Sequence, residues 1–571
     1  MAVLPRPLIL VRGFGFFGVE DEQGNAYQGF NDGTVYPDRR GESYIYEGFV
    51  LRALKSRLYQ YTDATNVVAY YGRDVQVPGL PDPEPPHARR VVLDQDVASL
   101  RLQGGVQGTI WVYRYYDLLP RSIRTYAEGL VRLIQLIEQA TTDYPGTSGE
   151  GWRGVDIVAH SMGGLIVNEA IRTLGPSSKD QINKVITLGT PHRGIRFQAI
   201  PPGLLHALSA TYEKVDALRK ALPGSDTKPP GGTKDALDEL AAFDYDNLKY
   251  LDVGRTFDPQ RVLTVVGTDF RSYGVKVATA GNQLMNLADG GGVGGNHSDG
   301  LVMQSAAQLP GSPRTFVHKC HGGRDSLVTS REAYEIAMRF LHGTHRIALR
   351  LQDARITQGG DWGPFHNEFY LGVSIKPRGV DFNLFEQSME AQNCYGPFDS
   401  ESLEGGGVVG DALQQPLTAW DHDEPQWAGT GRLLWEGWID ADNLFRDAGN
   451  GAIFRLDVFV GEDDPGGFSD KVILRKQLFV QVFPGSPPQI FVHTGEKYLD
   501  PTRCPDLASV RAVAEEPRTE GLTAEVQLAS PCTGTGDITT PGWDFTVNGT
   551  GFQGRFHLEV TEAEDPGRRA I

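Results

Sequence analysis

No apolar run in this chain is long enough to cross a bilayer. Stretches such as Pro7–Val11 fall far short of the roughly 20 residues a helical span needs. Cationic charge is also scarce: 54 Lys and Arg against 72 Asp and Glu leave a net charge of −18. That balance argues against nucleic acid as a partner, because phosphate backbones need clustered Lys and Arg. It disfavours simple electrostatic docking on anionic membranes too, which leaves peripheral contact through apolar side chains as the route to a lipid surface. Four cysteines, at 320, 394, 504 and 532, allow two bridges at most, and no Cys-x-x-Cys spacing is present. Buried thiols are the expectation, and no metal site or cofactor is expected. The apolar run at Leu8–Val11 has no small-residue cleavage site after it. The expected location is therefore cytoplasmic, with a removed signal or export by another route as the alternatives.

What is present points to a folded, multidomain chain. At 571 residues it is too long for one core and suggests two to four domains. Its 40% hydrophobic and 22% charged residues are ordinary for a globular protein, and 69 Gly with 35 Pro imply many loops.

The most informative stretch is Val155-Asp-Ile-Val-Ala-His-Ser-Met-Gly-Gly-Leu165. A mostly β-branched run leads into Ser161, and Leu165, Ile166, Ala170, Ile171 and Leu174 follow at helical spacing up to Gly175-Pro176. That is a strand, a sharp turn and a helix. Small residues two before and two after the serine, Ala159 and Gly163, permit a turn tight enough to push its hydroxyl outward, and Gly164 allows the helix to approach the strand. In this context the motif resembles the nucleophile elbow of the α/β-hydrolase superfamily. The Ala-His-Ser-Met-Gly-Gly form is similar to bacterial lipases of the Bacillus type.

The resemblance implies further residues. The loop after the first strand, Arg12-Gly-Phe-Gly15, stands where the superfamily supplies an oxyanion-hole N–H, so Phe14 is the implied donor beside Met162. Arg12 replaces the usual His, a departure that a main-chain donor tolerates. Leu188-Gly-Thr-Pro-His-Arg-Gly194 resembles the cleft-shaping strand end of many lipases, with no catalytic role for His192. Residues 195–260 carry two helical patterns around a Gly/Pro-rich break, and in lipases such an insertion forms a helical lid; an ordinary helical cap is the competing reading.

A serine needs a base to take its proton and a carboxylate to orient that base. The superfamily order is Ser, then acid, then His. Two aspartates compete for the acid. Asp269 stands at a strand end, the generic position; Asp299 lies in Asp-Gly-Leu-Val302, similar to the acid segment of Pseudomonas- and Burkholderia-type lipases. Asp299 is preferred, partly because His321 follows 22 residues later, a separation that suits that family. His321, in the Gly-rich turn before the last helix, is preferred over His318, which should end a strand, and over His297. The helix itself is announced by the capping box Thr329-Ser-Arg-Glu332.

Beyond 344 the pattern changes to short alternating strands separated by turn clusters such as Glu462–Gly467, with no further helical pattern. The expected architecture is thus an α/β-hydrolase domain over 1–344, a parallel sheet with helices on both faces and the insertion at 195–260. An all-β sandwich domain, single or double, follows over 345–571. Acidic turns such as Asp421–Glu424 read as solvated loops rather than calcium ligands. The expected activity is hydrolysis of carboxylic esters, lipid esters above all, through an acyl-enzyme on Ser161 with His321 and Asp299. Alternatives are an acyltransferase using the same residues, or an inert hydrolase fold whose β domain binds a partner of unknown kind.

Overall fold

The computed structural model describes residues 4–13, 47–56, 59, 65–70, 90–93, 105–115, 123–143, 151–194, 256–273, 297–309, 311–322, 325–356, 368–398, 433–439, 452–463, 471–483, 489–495, 506–515, 526–532, 541–549 and 551–563. Phe14, nearly all of the 195–260 insertion and the Asp421–Glu424 turn lie outside them. The chain forms two compact units. The first comprises 1–313, 319–334 and 567–571; the second comprises 314–318 and 335–566.

Seven strands of the large sheet belong to the first unit: β1 (Leu8–Val11), β2 (Thr65–Tyr70), β3 (Arg90–Leu93), β4 (Ile110–Arg114), β5 (Val155–His160), β6 (Ile182–Leu188) and β7 (Val262–Gly267). They lie in the order β3-β2-β4-β1-β5-β6-β7. All neighbours are parallel except β2 and β3, an antiparallel edge pair. Strand β1 sits between β4 and β5, and all four of its side chains are completely buried. A strand covered on both faces can be uniformly apolar, which is why Leu8–Val11 shows no alternation.

Among the described residues the longer helices that accompany these strands in sequence are α1 (Glu47–Lys55), α2 (Ile123–Asp143), α3 (Met162–Leu174) and α4 (Arg331–His342), the last belonging to the second unit from Glu335 on; a short helix, Ser178–Gln181, precedes β6. Helix α2 buries Ile123, Tyr126, Leu130, Leu133, Ile134 and Ile137, the stripe its sequence spacing predicts. Helix α3 is buried all round from Met162 to Ile171 and joins one apolar core with α2, β1, β4, β5 and β6. The aromatic edge of Tyr334 meets Phe49 of α1, with ring centroids 5.1 Å apart. This unit has the α/β-hydrolase fold.

The second unit is built on antiparallel sheets. One has the order β11-β10-β14-β15-β16-β17, with β12 also on β10; the other is β13-β9-β20-β19-β18. Their strands are β9 (His345–Ile356), β10 (Glu368–Pro377), β11 (Phe385–Glu386), β12 (Tyr395–Phe398), β13 (Leu433–Ile439), β14 (Ala452–Asp463), β15 (Lys471–Phe483), β16 (Gln489–His493), β17 (Val526–Leu528), β18 (Ser530–Cys532), β19 (Gly542–Asn548) and β20 (Phe552–Glu562); the short β8 (Arg314–Val317) precedes them. Alternation is plain in β14, where Leu456, Val458 and Val460 are buried and Arg455, Asp457 and Phe459 only half so. Trp435 of β13 meets Phe454 of β14 at 5.8 Å, and the Tyr395 hydroxyl of β12 donates to the Leu433 carbonyl of β13 at 2.9 Å, so the two sheets face one another as a β-sandwich.

The expectation of no helix beyond 344 needs correction, because Leu507–Glu515 forms one, α5. Asp506 caps it, accepting from the Ser509 N–H at 2.8 Å. Its Val510 is buried while Ala508, Arg511 and Ala512 are exposed. Among the described residues no helix is long and apolar enough to cross a membrane.

Candidate active site

The site is assembled where β5 turns into α3. Ser161 has φ 52° and ψ −128°, a conformation that L-residues rarely occupy. Its N–H donates to the Leu188 carbonyl at 2.9 Å and its carbonyl accepts from Gly164 N–H at 3.0 Å, so the bend is held from β6 as well as from its own helix. Gly163 explains why the turn needs a small residue. A Cβ there would lie 2.6 Å from the Arg12 carbonyl oxygen and 2.7 Å from that of Val11, both main-chain atoms at the end of β1. Gly163→Ala is expected to destabilise the protein by about 1–3 kcal/mol through this overpacking, read as a lower urea midpoint with an unchanged m-value. At Gly164 the space for a Cβ is taken by the Thr190 side chain, which comes from the Gly-Thr-Pro-His segment.

Three predicted residues meet here. His321 Nε2 lies 2.9 Å from Ser161 Oγ, and His321 Nδ1 lies 2.8 Å from Asp299 Oδ2. All three residues are buried. The second carboxylate oxygen of Asp299 accepts from the N–H groups of Leu301 (3.0 Å) and Val302 (2.8 Å), which fixes the carboxylate plane. The His321 N–H donates to the Asp299 carbonyl at 2.8 Å, tying the two loops at the main chain as well. A carboxylate can only accept, so Nδ1 carries the proton and Nε2 presents its lone pair to the serine hydroxyl.

The competing residues are placed elsewhere. Asp269 stands two residues beyond β7, and its Oδ1 accepts from the N–H groups of Arg271 (3.0 Å) and Ser272 (3.1 Å), a local turn. His318 directly follows β8, and His297 has φ 45° in the loop before Asp299. Met162 heads α3, so its N–H has no acceptor within the helix and lies at the positive end of the helix dipole. Cys320, beside His321, is a buried free thiol whose pKa burial pushes up to about 12, and Cys394 is likewise buried and free.

Sequence reasoning missed two neighbours of this group. His160, inside the elbow motif but not weighed there, donates from Nε2 to the His321 carbonyl at 2.8 Å. Burial first, and the adjacent His321 second, hold its pKa well below the ordinary imidazole value, so it is neutral. Tyr273 stands edge-on to the His321 ring at 6.0 Å, and burial raises its phenol pKa. No local pattern marks it.

His192 supports the elbow from behind. Asn168 of α3 donates to its Nδ1 at 3.1 Å, and its Nε2–H donates to Thr187 Oγ1 of β6 at 3.0 Å. Burial lowers its pKa to about 3. Its folded value is thus below the unfolded one, and the unfolded chain binds the extra proton between them. Stability should therefore be unaffected by His192 above pH ~6.5 and fall as pH drops from there towards 3, by up to ~1.4 kcal/mol per pH unit. Urea unfolding of His192→Asn from pH 7 to pH 4 should show a slope shallower than wild type by about one proton.

The family model of the PGAP1-like alpha/beta domain matches residues 120–215, which bracket α2, β5, the elbow, α3 and β6. No curated protein matches the chain. Similar solved structures include a Bacillus licheniformis lipase in propeptide form (12% identity, 84% of this chain and 94% of that one, TM-score 0.29). A phospholipase from Legionella pneumophila is another (11% identity, 66% and 86%, TM-score 0.28). Lipase 1 from Pelosinus fermentans is a third (13% identity, 57% and 89%, TM-score 0.24).

Proposed function

We propose that this protein is a serine hydrolase of carboxylic esters, with lipid esters as its substrate class. The observation that carries the reading is the continuous hydrogen-bonded run Ser161–His321–Asp299, at 2.9 and 2.8 Å, on a serine held at positive φ. Serine is a weak nucleophile at its free pKa and becomes competent when a neutral imidazole accepts its proton. In this reading Ser161 Oγ attacks the ester carbonyl while His321 Nε2 takes the hydroxyl proton. Asp299 stabilises the imidazolium that forms. His321 then returns the proton to the leaving alcohol, and a water activated by the same nitrogen releases the acid from the acyl-enzyme.

Negative charge on the former carbonyl oxygen is met by the Met162 N–H and, on the superfamily pattern, by that of Phe14. Such donors contribute about 3 kcal/mol each in comparable sites. No cofactor enters these steps. The preference for lipid esters rests on the likeness of the Ala159–Gly164 elbow and the Asp299–Val302 segment to those of bacterial lipases.

The test is an ester panel of increasing acyl length, with a fluorophosphonate probe in parallel. Stoichiometric labelling at Ser161 and activity that persists or rises beyond short acyl chains are the expected results. Absence of labelling would overturn the hydrolase reading; activity confined to acetate esters would overturn the lipid assignment. Release of a new ester rather than free acid when an alcohol is supplied would identify an acyltransferase instead.

A further inference from the structure

We propose that His160 is a positioning residue for the reaction: its Nε2–H, donated to the main-chain carbonyl of His321, sets the distance between the nucleophile and its base. The inference rests on the hydrolase reading above and extends it to a residue that touches neither substrate nor reacting atoms.

A main-chain carbonyl only accepts, so the 2.8 Å contact forces the proton of His160 onto Nε2. The rings of His160 and His321 lie 4.8 Å apart at 40°, with His160 Nε2 on the His321 carbonyl and His321 Nε2 on Ser161 Oγ. His160 is buried, and neutrality suits a donor that must not compete with the charge developing on His321.

Its place in the chain matters as much as its bond. His160 is the last residue of β5 and is covalently joined to Ser161. The base, by contrast, comes from a loop 160 positions away in sequence. The loop's main chain is gripped on both sides of His321: the N–H by the Asp299 carbonyl at 2.8 Å, the C=O by His160. The first grip joins base to acid. The second joins the main chain of the base loop to the residue next to the nucleophile, a link that does not depend on the reacting Ser161–His321 hydrogen bond. The ring also lies against Gly13, where a Cβ would come within 2.8 Å of His160 Nδ1, so a residue without a side chain is needed there to seat the imidazole.

The experiment uses the full chain with p-nitrophenyl butyrate and three variants. His160→Gln keeps an N–H at matching reach, His160→Asn carries the same amide one methylene short, and His160→Leu fills the space without a donor. Because a displacement of about 1 Å can cost about 100-fold, kcat should fall about 10- to 100-fold in the Leu and Asn variants, with KM nearly unchanged. Gln should restore most of the loss. A merely space-filling role would move thermal midpoints without this split between Gln and Asn.

The proposal is overturned if Leu turns over like wild type, or if Gln is as slow as Leu. Should Leu fail to fold, the Gln–Asn comparison decides alone. Failure of the hydrolase reading looks different: the wild-type protein itself would neither hydrolyse the ester nor take the fluorophosphonate on Ser161, and the positioning role would fall with it.

Discussion

Ser161→Ala should lower kcat for ester hydrolysis by roughly four to six orders of magnitude, leaving only the rate supplied by binding and the oxyanion donors. The loss is large because Oγ is both the atom that forms the acyl bond and the group whose proton His321 accepts at 2.9 Å. Single-turnover measurement should show no burst of alcohol release, and fluorophosphonate labelling should vanish. Stability should respond in the opposite sense to activity. Ser161 is held at φ 52°, where any Cβ is strained, so Ser161→Gly should be inactive yet more stable than Ser161→Ala by about 1 kcal/mol in urea unfolding. A Gly variant no more stable than Ala would mean that the bend stores no strain. An Ala variant retaining a tenth of wild-type kcat would remove Ser161 from the chemistry.

Asp299→Asn should cost roughly 10^4 in kcat with the fold intact. An amide in this place offers His321 Nδ1 a neutral acceptor or an N–H donor. Either way the imidazolium loses its counter-charge, and in the second case the wrong nitrogen carries the proton. The carboxylate's other contacts, with the Leu301 and Val302 N–H groups, need only an acceptor, which Asn retains. Asp269→Asn is the matched control and should stay within a few-fold of wild type, because its carboxylate caps a turn of its own at Arg271 and Ser272. Steady-state kinetics on the two variants decides between the aspartates. Equal losses, or a larger one at 269, would move the acid role away from Asp299.

That comparison also shows where sequence reasoning runs out. Asp269 and Asp299 share the same local chemistry: each accepts, through Oδ1, from the N–H groups two and three residues ahead. Turn chemistry does not tell them apart; only the likeness of Asp299–Val302 to a lipase segment and the 22-residue separation from His321 favoured Asp299 in the sequence. The difference is that the remaining oxygen of Asp299 lies 2.8 Å from an imidazole, and that depends on how two loops cross. Periodicity served well where burial is regular, as in the inward stripe of α2 or the alternation along β14. It failed at Leu507–Glu515, a nine-residue helix set among strand patterns. His160 escaped notice for another reason. Its role is a bond to a main-chain atom, and the main chain carries no sequence signature.

By itself the amino-acid order determined the strand, bend and helix around Ser161, because a β-branched run, small residues on both sides of the bend and a helical apolar spacing each act within a few positions. It also determined the change from mixed α/β to antiparallel β structure along the chain. Resemblance already favoured His321 and Asp299, but only the tertiary structure brought that imidazole to the serine and that carboxylate to the imidazole. The contacts join positions 22 and 160 residues apart, and their geometry is set by strand order and loop packing that no local pattern encodes.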